Sequence, residues 1–341
     1  MNTLSLAKYT LGLAAAGAML AACSSGGGSA LGPNSVGTSN GMHLGRAVSQ
    51  NGILITAAHP NLNAHVTPDK HHRHKKKKAD QYIADFSASD VLEFDYPKGD
   101  SSIGTISGVS EAQGSCTDVL YGSGKKTFWV TASGTDSFEQ FKVGGTSPIA
   151  TLTTTAGEPV GCSIDPKTGD LAGTMINNGV VVIYKGAKGS GTAISTPLVE
   201  AFFSGYDASS NLFIDGFNSQ GEFGLVEIPK GKNTAETITT SNSVEFPGSV
   251  QWDGKYVTVN DQEAHTIDQY TVKGTTATEE GTVSLSGSSD CDQTWIAKGY
   301  VICPDAGNVD GEIYSYPAGG SPLATLTGSF SEPLASVAAA K

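Results

Sequence analysis

The chain has 341 residues, 43 of them glycine, with 38% hydrophobic, 8% aromatic and 16% charged residues and a net charge of −12. This composition describes a turn-rich, globular all-β protein large enough for one big domain plus accessory segments. The charge is uneven: residues 1–79 carry eight Lys or Arg and one acid, Asp69, whereas residues 80–341 carry 13 basic and 32 acidic residues, a net −19 that excludes nucleic acid and anionic lipid as partners of the body and favours cations.

At the N-terminus Lys8 precedes an apolar run, Leu11 to Leu20, too short to span a membrane and shaped like a signal-peptide core. It ends in Leu20-Ala21-Ala22-Cys23, which resembles the lipobox of bacterial lipoproteins. The resemblance implies removal of residues 1–22 and a lipid anchor on Cys23. Ser24 in the next position implies sorting to the outer membrane or cell surface. Residues 23–79 then read as a flexible tether rich in Gly, Ser, Asn and Ala. Near its end, His71 to Lys78 packs three histidines and five cations into eight residues. That run suits a solvated, self-repelling spacer; capture of a transition metal, or contact with anionic lipid or a cell-wall polymer, is the competing reading.

From Asp80 the chain repeats. Predicted second strands start at Gln81, Thr127, Asp170, Asn211, Lys255 and Gly299, 41 to 46 residues apart, the length of a four-stranded propeller blade. Third strands such as Val91 to Tyr96 and Val180 to Tyr184 precede turns containing Pro, Lys or Gly. Fourth strands follow near-identical lead-ins, Gly144-Gly145-Thr146-Ser147-Pro148 and Gly319-Gly320-Ser321-Pro322. First strands begin near Gly114, Gly161, Ser204, Gly248, Asp290 and Pro333. The last has no hairpin partner after it, and Tyr82 opens a blade that lacks a first strand. The expected fold of residues 80–341 is therefore a six-bladed β-propeller of four-stranded antiparallel blades, closed by the C-terminal strand joining three N-terminal strands.

The stretch Gly161-Cys162-Ser163-Ile164-Asp165-Pro166-Lys167-Thr168-Gly169-Asp170-Leu171 is similar to the hairpin of six-bladed propellers of the NHL, SMP-30/gluconolactonase and virginiamycin-lyase-like group. The chain looks most like their bacterial lipoprotein relatives. The resemblance covers about Asp80 to Ala339 and specifies a fold more than an activity, since such propellers include enzymes and pure binding modules. Lactonase-like members hold a divalent metal with Glu, Asn and Asp at the inner-strand entrances. Here those positions are Gln113, Val160, Ser204, Pro247, Asp290 and Pro333 or Leu334, so the pattern is not matched. Lyase-like members use a histidine acid/base, and the body has a single histidine, His265, which reads as a surface residue.

Repetition also places acids together. Glu111, Glu158, Glu245 and Glu332 recur three residues before the small residue opening a first strand, on the face that carries Asp85, Asp215, Asp261 and Asp305 after the second strands. This ring could bind Ca2+ or another divalent cation, the one cofactor considered; duplication of a solvated loop residue is the alternative. Asp118, Asp165, Asp207 and Asp253 end first strands before tight turns and read as turn caps. Trp129, Trp252 and Trp295 read as core, with an exposed one able to stack a sugar. Of the remaining cysteines, Cys116 with Cys162 and Cys291 with Cys303 are the preferred pairings, with buried free thiols left open. The function expected is a lipid-anchored, extracytoplasmic binding or scaffolding module of the cell envelope, with an envelope protein or cell-wall polymer as partner. The rival is a divalent-metal hydrolase or lyase of the lactonase or virginiamycin-lyase type.

Overall fold

The computed structural model describes residues 79–117 and 126–341. The expected signal peptide, lipidation at Cys23, the tether with its His71–Lys78 run and the turn cap Asp118 lie outside the described residues. In chain order the strands are β1 (Ala79–Asp85), β2 (Asp90–Asp95), β3 (Gly104–Ser107), β4 (Ala112–Cys116), β5 (Thr127–Ala132), β6 (Ser137–Lys142), β7 (Ala150–Thr153), β8 (Pro159–Ile164), β9 (Leu171–Met175), β10 (Val180–Tyr184), β11 (Thr192–Ser195) and β12 (Leu198–Tyr206). They continue as β13 (Leu212–Asn218), β14 (Phe223–Ile228), β15 (Glu236–Thr240), β16 (Pro247–Trp252), β17 (Val257–Asp261), β18 (Thr266–Lys273), β19 (Thr276–Ser284), β20 (Trp295–Ala297), β21 (Tyr300–Asp305), β22 (Asp310–Ser315), β23 (Ala324–Leu326) and β24 (Pro333–Ala340). Ala79, one residue before the expected start of the body, already pairs with Ala340.

Four sheets have four strands each, ordered β24-β1-β2-β3, β4-β5-β6-β7, β8-β9-β10-β11 and β20-β21-β22-β23. An eight-stranded sheet, β12-β13-β14-β15-β19-β18-β17-β16, consists of two antiparallel four-stranded halves. The ladder between them is the parallel pairing of Thr239 with Thr276 and Thr240 with Ala277 at the outer edges β15 and β19. The first strand of each unit packs beside the next, from β24 to β4, β8, β12, β16 and β20 and back to β24.

Local sequence explains this order. The second and third strands carry β-branched and aromatic residues that fill the spaces between sheets: Phe128, Val130 and Phe141 pack with Tyr82 and Val337, and Phe138 and Tyr184 pack around Cys116 and Cys162. The first strands are rich in small residues because they lie nearly in contact. A Cβ on Gly114, Gly161 or Gly205 would stand 2.3, 2.6 and 2.5 Å from the carbonyl oxygens of Val160, Phe202 and Val250 on the neighbouring first strand. Register shifts recur where the first strands enter their sheets, at Ala112/Gly114, Pro159/Gly161, Ala201/Ser204 and Pro247/Val250, as bulges that turn the strand into line.

One first strand departs from the pattern. Only Trp295–Ala297 pairs regularly with β21, although the sequence suggested a strand from Asp290. Asp290 and Cys291 keep contact with the end of β21, through Ala306 N–H to Asp290 O and a bridge to Asp305, but Asp292 and Gln293 hydrogen-bond sideways: Ser249 donates its N–H to Asp292 O, Gln293 to Leu334 O, and Ser336 to Gln293 O. Two disulfides tie the inner region, Cys116 to Cys162 between neighbouring first strands and Cys291 to Cys303 within one unit.

Candidate functional site

At the face where the second strands end, the repeated aspartates are structural. Asp85 accepts the backbone N–H of Ala88, Ser331 and Glu332; Asp261 those of Glu245, Phe246 and Ala264; Asp305 those of Ser289, Asp290 and Asn308; and Asp215 that of Phe203. Each is buried, and each fastens the end of a second strand to the chain entering, or already within, the neighbouring first strand. Burial pushes the Asp85 carboxyl up against the opposing pull of its three N–H donors, and burial raises Asp215 well above the carboxylate range. Asp85, Asp261 and Asp305 thus act as caps, because both oxygens of each face loop amides, whereas Asp215 holds Phe203 N–H with Oδ1 and leaves Oδ2 without a donor.

The glutamates are the loop residues being fastened. Glu245 is exposed; Glu111, at φ 51°, Glu158 and Glu332 are half-buried. Glu158 accepts from Asn177 and Glu332 from Ser87. Among the described residues none of the four joins any group of three acidic, cysteine or histidine ligand atoms lying within 4.8 Å of one another, so the expected ring does not converge as a metal centre. The acidic triplet that does converge is Asp305, Asp310 and Glu312, within one sheet. There burial, then Glu312 and Asp305, raise Asp310 to about 7. His265 occupies a left-handed turn position before β18, at φ 55°, equivalent to Ser89 before β2 and Val309 before β22. Its place is explained by the turn.

The other face carries the turn caps and the cavities. Asp165 accepts from Lys167 N and Ser210 Oγ, Asp207 from Ser209 N and Asn211 N, and Asp253 from Lys255 N and Tyr256 N. On the axis between these turns lies a pocket of about 50 Å3, walled by Trp252, Trp295, Tyr206 and the Cys116–Cys162 disulfide. Its polar floor is satisfied internally. Ser163 Oγ meets Ser204 Oγ at 2.9 Å, Ser249 Oγ meets Thr294 Oγ1 at 2.5 Å, and Gln293 clamps both the N–H and the C=O of Ser115 at 2.6 and 3.0 Å. Among the described residues no Asp, Glu, His, Lys or Arg lines it, and burial, with Asp165 and Asp170 nearby, pushes the Tyr206 hydroxyl up.

Trp252 is also a wall of a second, open groove of about 490 Å3, with Tyr270, Asn211, Asp207, Glu227 and Glu236. Glu227 and Glu236 face each other across β14 and β15, a like-charge pairing that a sheet ordinarily avoids. Burial, then Asp207 and Glu236, push Glu227 up. Sequence reading missed this groove. Trp252 was visible beside its Asp-Gly turn, but the meeting of Glu227 and Glu236 depends on the register of a hairpin that had not been assigned. Trp129, by contrast, is buried among Phe138, Leu152 and Tyr184 as core.

No protein-family model and no curated protein matches the chain. Solved structures do. A chain of a nidogen/laminin complex overlays with a TM-score of 0.60 at 13% identity, covering 76% of this chain and 98% of that one. A protein of unknown function from Bacteroides caccae overlays with a TM-score of 0.57 at 12% identity, covering 77% and 99%. A streptogramin B lyase overlays at 0.47 and 10% identity over 70% of this chain and 71% of its own, too loosely to bear on activity. Likeness at these identities speaks to fold alone, and the chain is a β-propeller.

Proposed function

We propose that this chain is a lipid-anchored, extracytoplasmic β-propeller of six blades that acts as a non-catalytic binding module through the face bearing Trp252 and Trp295. The blade count is supported by reading the eight-stranded sheet as two blades that share an outer edge, and ring closure by the pairing of β24 with β1. Two disulfides favour an oxidising compartment, in keeping with export and with an anchor at Cys23.

The observation that carries the binding reading is the axial pocket itself: tryptophan-walled, hydrogen-bonded across its floor, and lined, among the described residues, by no acid, base or free thiol. At about 50 Å3 it is well below the roughly 300–1,000 Å3 of pockets that engulf a small molecule. It suits the tip of a larger partner, such as one sugar face of a cell-wall polymer or one side chain of an envelope protein, stacked on an indole. The hydrolase or lyase alternative loses support because three of the repeated aspartates of the opposite mouth, Asp85, Asp261 and Asp305, are committed to backbone amides.

The test is tryptophan fluorescence of the protein titrated with soluble cell-wall fragments, beside Trp252→Ala and Trp295→Ala. Saturable quenching that both substitutions abolish supports the reading. Unchanged binding by both variants, or turnover of lactone substrates that survives them, would overturn it.

A further inference from the structure

Four buried oxygens beneath the Ser249–Gln293 floor of the tryptophan pocket have no hydrogen-bond donor: Asp290 Oδ1, Asp292 Oδ2, Asn260 Oδ1 and Gln262 Oε1. Their residues are 4%, 0%, 1% and 0% exposed. The amide orientations are fixed by where the NH2 groups go. Asn260 Nδ2 donates to Cys291 O at 2.5 Å, and Gln262 Nε2 donates to Pro247 O at 2.8 Å and to Asp292 Oδ1 at 3.0 Å. With the donors engaged, both amide oxygens are left over beside the segment carrying Asp290 and Asp292. The segment bonds sideways at Asp292 and Gln293 while Asp290 stays tied to the end of β21 through Ala306 N–H; the Gln262 amide on Asp292 Oδ1 sets the Asp292 carboxylate against the residues ending β17, and Asp290 is the nearest-acting charge on it.

Buried acceptors without donors are costly, at about 1–3 kcal/mol each and more for charged groups. Four together, all oxygen, call for something electropositive. The charged groups bearing on Asp292 are Asp290, Glu332 and Asp215, and those bearing on Asp290 are Asp305, Glu332 and Glu263; all are acids. No lysine, arginine or histidine is among them to neutralise the pair, and a fifth oxygen without a donor, Asp215 Oδ2, lies on one of these neighbours.

We propose that Asp290, Asp292 and the amide oxygens of Asn260 and Gln262 form a binding site for a hard divalent cation of the Ca2+ class. Carboxylate and amide oxygens without nitrogen or sulfur suit such an ion, and Ca2+ tolerates the irregular geometry that a mixed set from two neighbouring sheets imposes. Two carboxylates match a charge of two, which disfavours Na+ and K+. The half-buried Glu332 and exposed Glu263 give the site an acidic approach from solvent.

The experiment is calorimetric titration and thermal melting of the full chain after chelator dialysis, with CaCl2, MgCl2, NaCl and KCl as separate arms. One saturable Ca2+ site per chain, raising the melting temperature, is expected. Asp292→Asn abolishes it, and in chelator that variant melts at or above the parent, because an unpaired buried acid has been removed. Asp290→Asn, which disturbs fewer bonds, also loses Ca2+ binding and serves if Asp292→Asn fails to fold. Glu245→Gln, exposed and outside the site, retains it. No heat and no melting shift with Ca2+, a response to Na+ or K+ alone, or Ca2+ binding undiminished in both aspartate variants would each overturn the proposal. None of these outcomes depends on the tryptophan face.

Discussion

At the scale of single residues, the body is held by aspartates whose value lies in the amides they reach. Asp261 takes three backbone N–H groups from two different loops, at 2.6, 3.2 and 3.1 Å, and replacing it strands all three. Asp261→Ala is expected to lower stability by about 2–3 kcal/mol, read as the urea midpoint, whereas Glu245→Gln on the exposed neighbour changes it by less than about 0.5 kcal/mol. Acidity gives a second expectation. Asp90 and Asp310 are raised to about 7, first by burial and then by neighbouring acids. In the unfolded chain each releases its proton near pH 4; in the fold each keeps it to about 7. The folded state therefore binds more protons across that window, and stability falls as pH rises from about 4 to about 7, levelling above. Urea midpoints across that range should decline with pH, and Asp90→Asn with Asp310→Asn should flatten the slope. The repeated aspartates were legible in the sequence, but the direction of their oxygens was not. A carboxylate recurring at a strand end looks the same whether it faces an ion or the N–H groups of its own loop.

At the scale of elements, legibility followed side-chain character. Second and third strands such as β5 and β10 show themselves through β-branched and aromatic runs that fill the space between sheets. First strands such as β4 and β8 are less visible, because their close approach demands Gly, Ser and Cys in place of an alternating pattern. The edge pairing of β15 with β19 was invisible: two residue pairs between outer strands leave no periodic trace. The disulfides act at this scale. Cys116–Cys162 closes a sequence separation of 46 and Cys291–Cys303 one of 12. Chain-entropy reasoning gives about 4 kcal/mol for the long loop and about 3 kcal/mol for the short one. The Cys116→Ala/Cys162→Ala pair should therefore lose more stability than Cys291→Ala/Cys303→Ala, measured by denaturant unfolding.

At the scale of the whole molecule, chain ends and rim matter most. β24 is almost wholly buried and pairs with β1 from Pro333 to Ala340, so the first sheet has no inner strand without it. Truncation after Glu332 should abolish the single cooperative thermal transition, seen by near-ultraviolet circular dichroism, while circular permutation between β3 and β4 of a chain with its two ends joined should preserve it.

The rim is uneven. Besides the β15–β19 pairing, Ser286 donates to Gly320 O and Thr327 to Asp100 O, so backbone bonds link neighbouring outer edges from β15 round to β3. Among the described residues no such bond joins β7 or β11 to an adjacent edge. The molecule is thus belted over part of its circumference and unbelted over the rest. Amide hydrogens at Thr239 and Ser241 should exchange with solvent slowly, and those of β7 and β11 that face away from β6 and β10 quickly. The unbelted arc is also where an incoming strand would find free backbone groups to pair with.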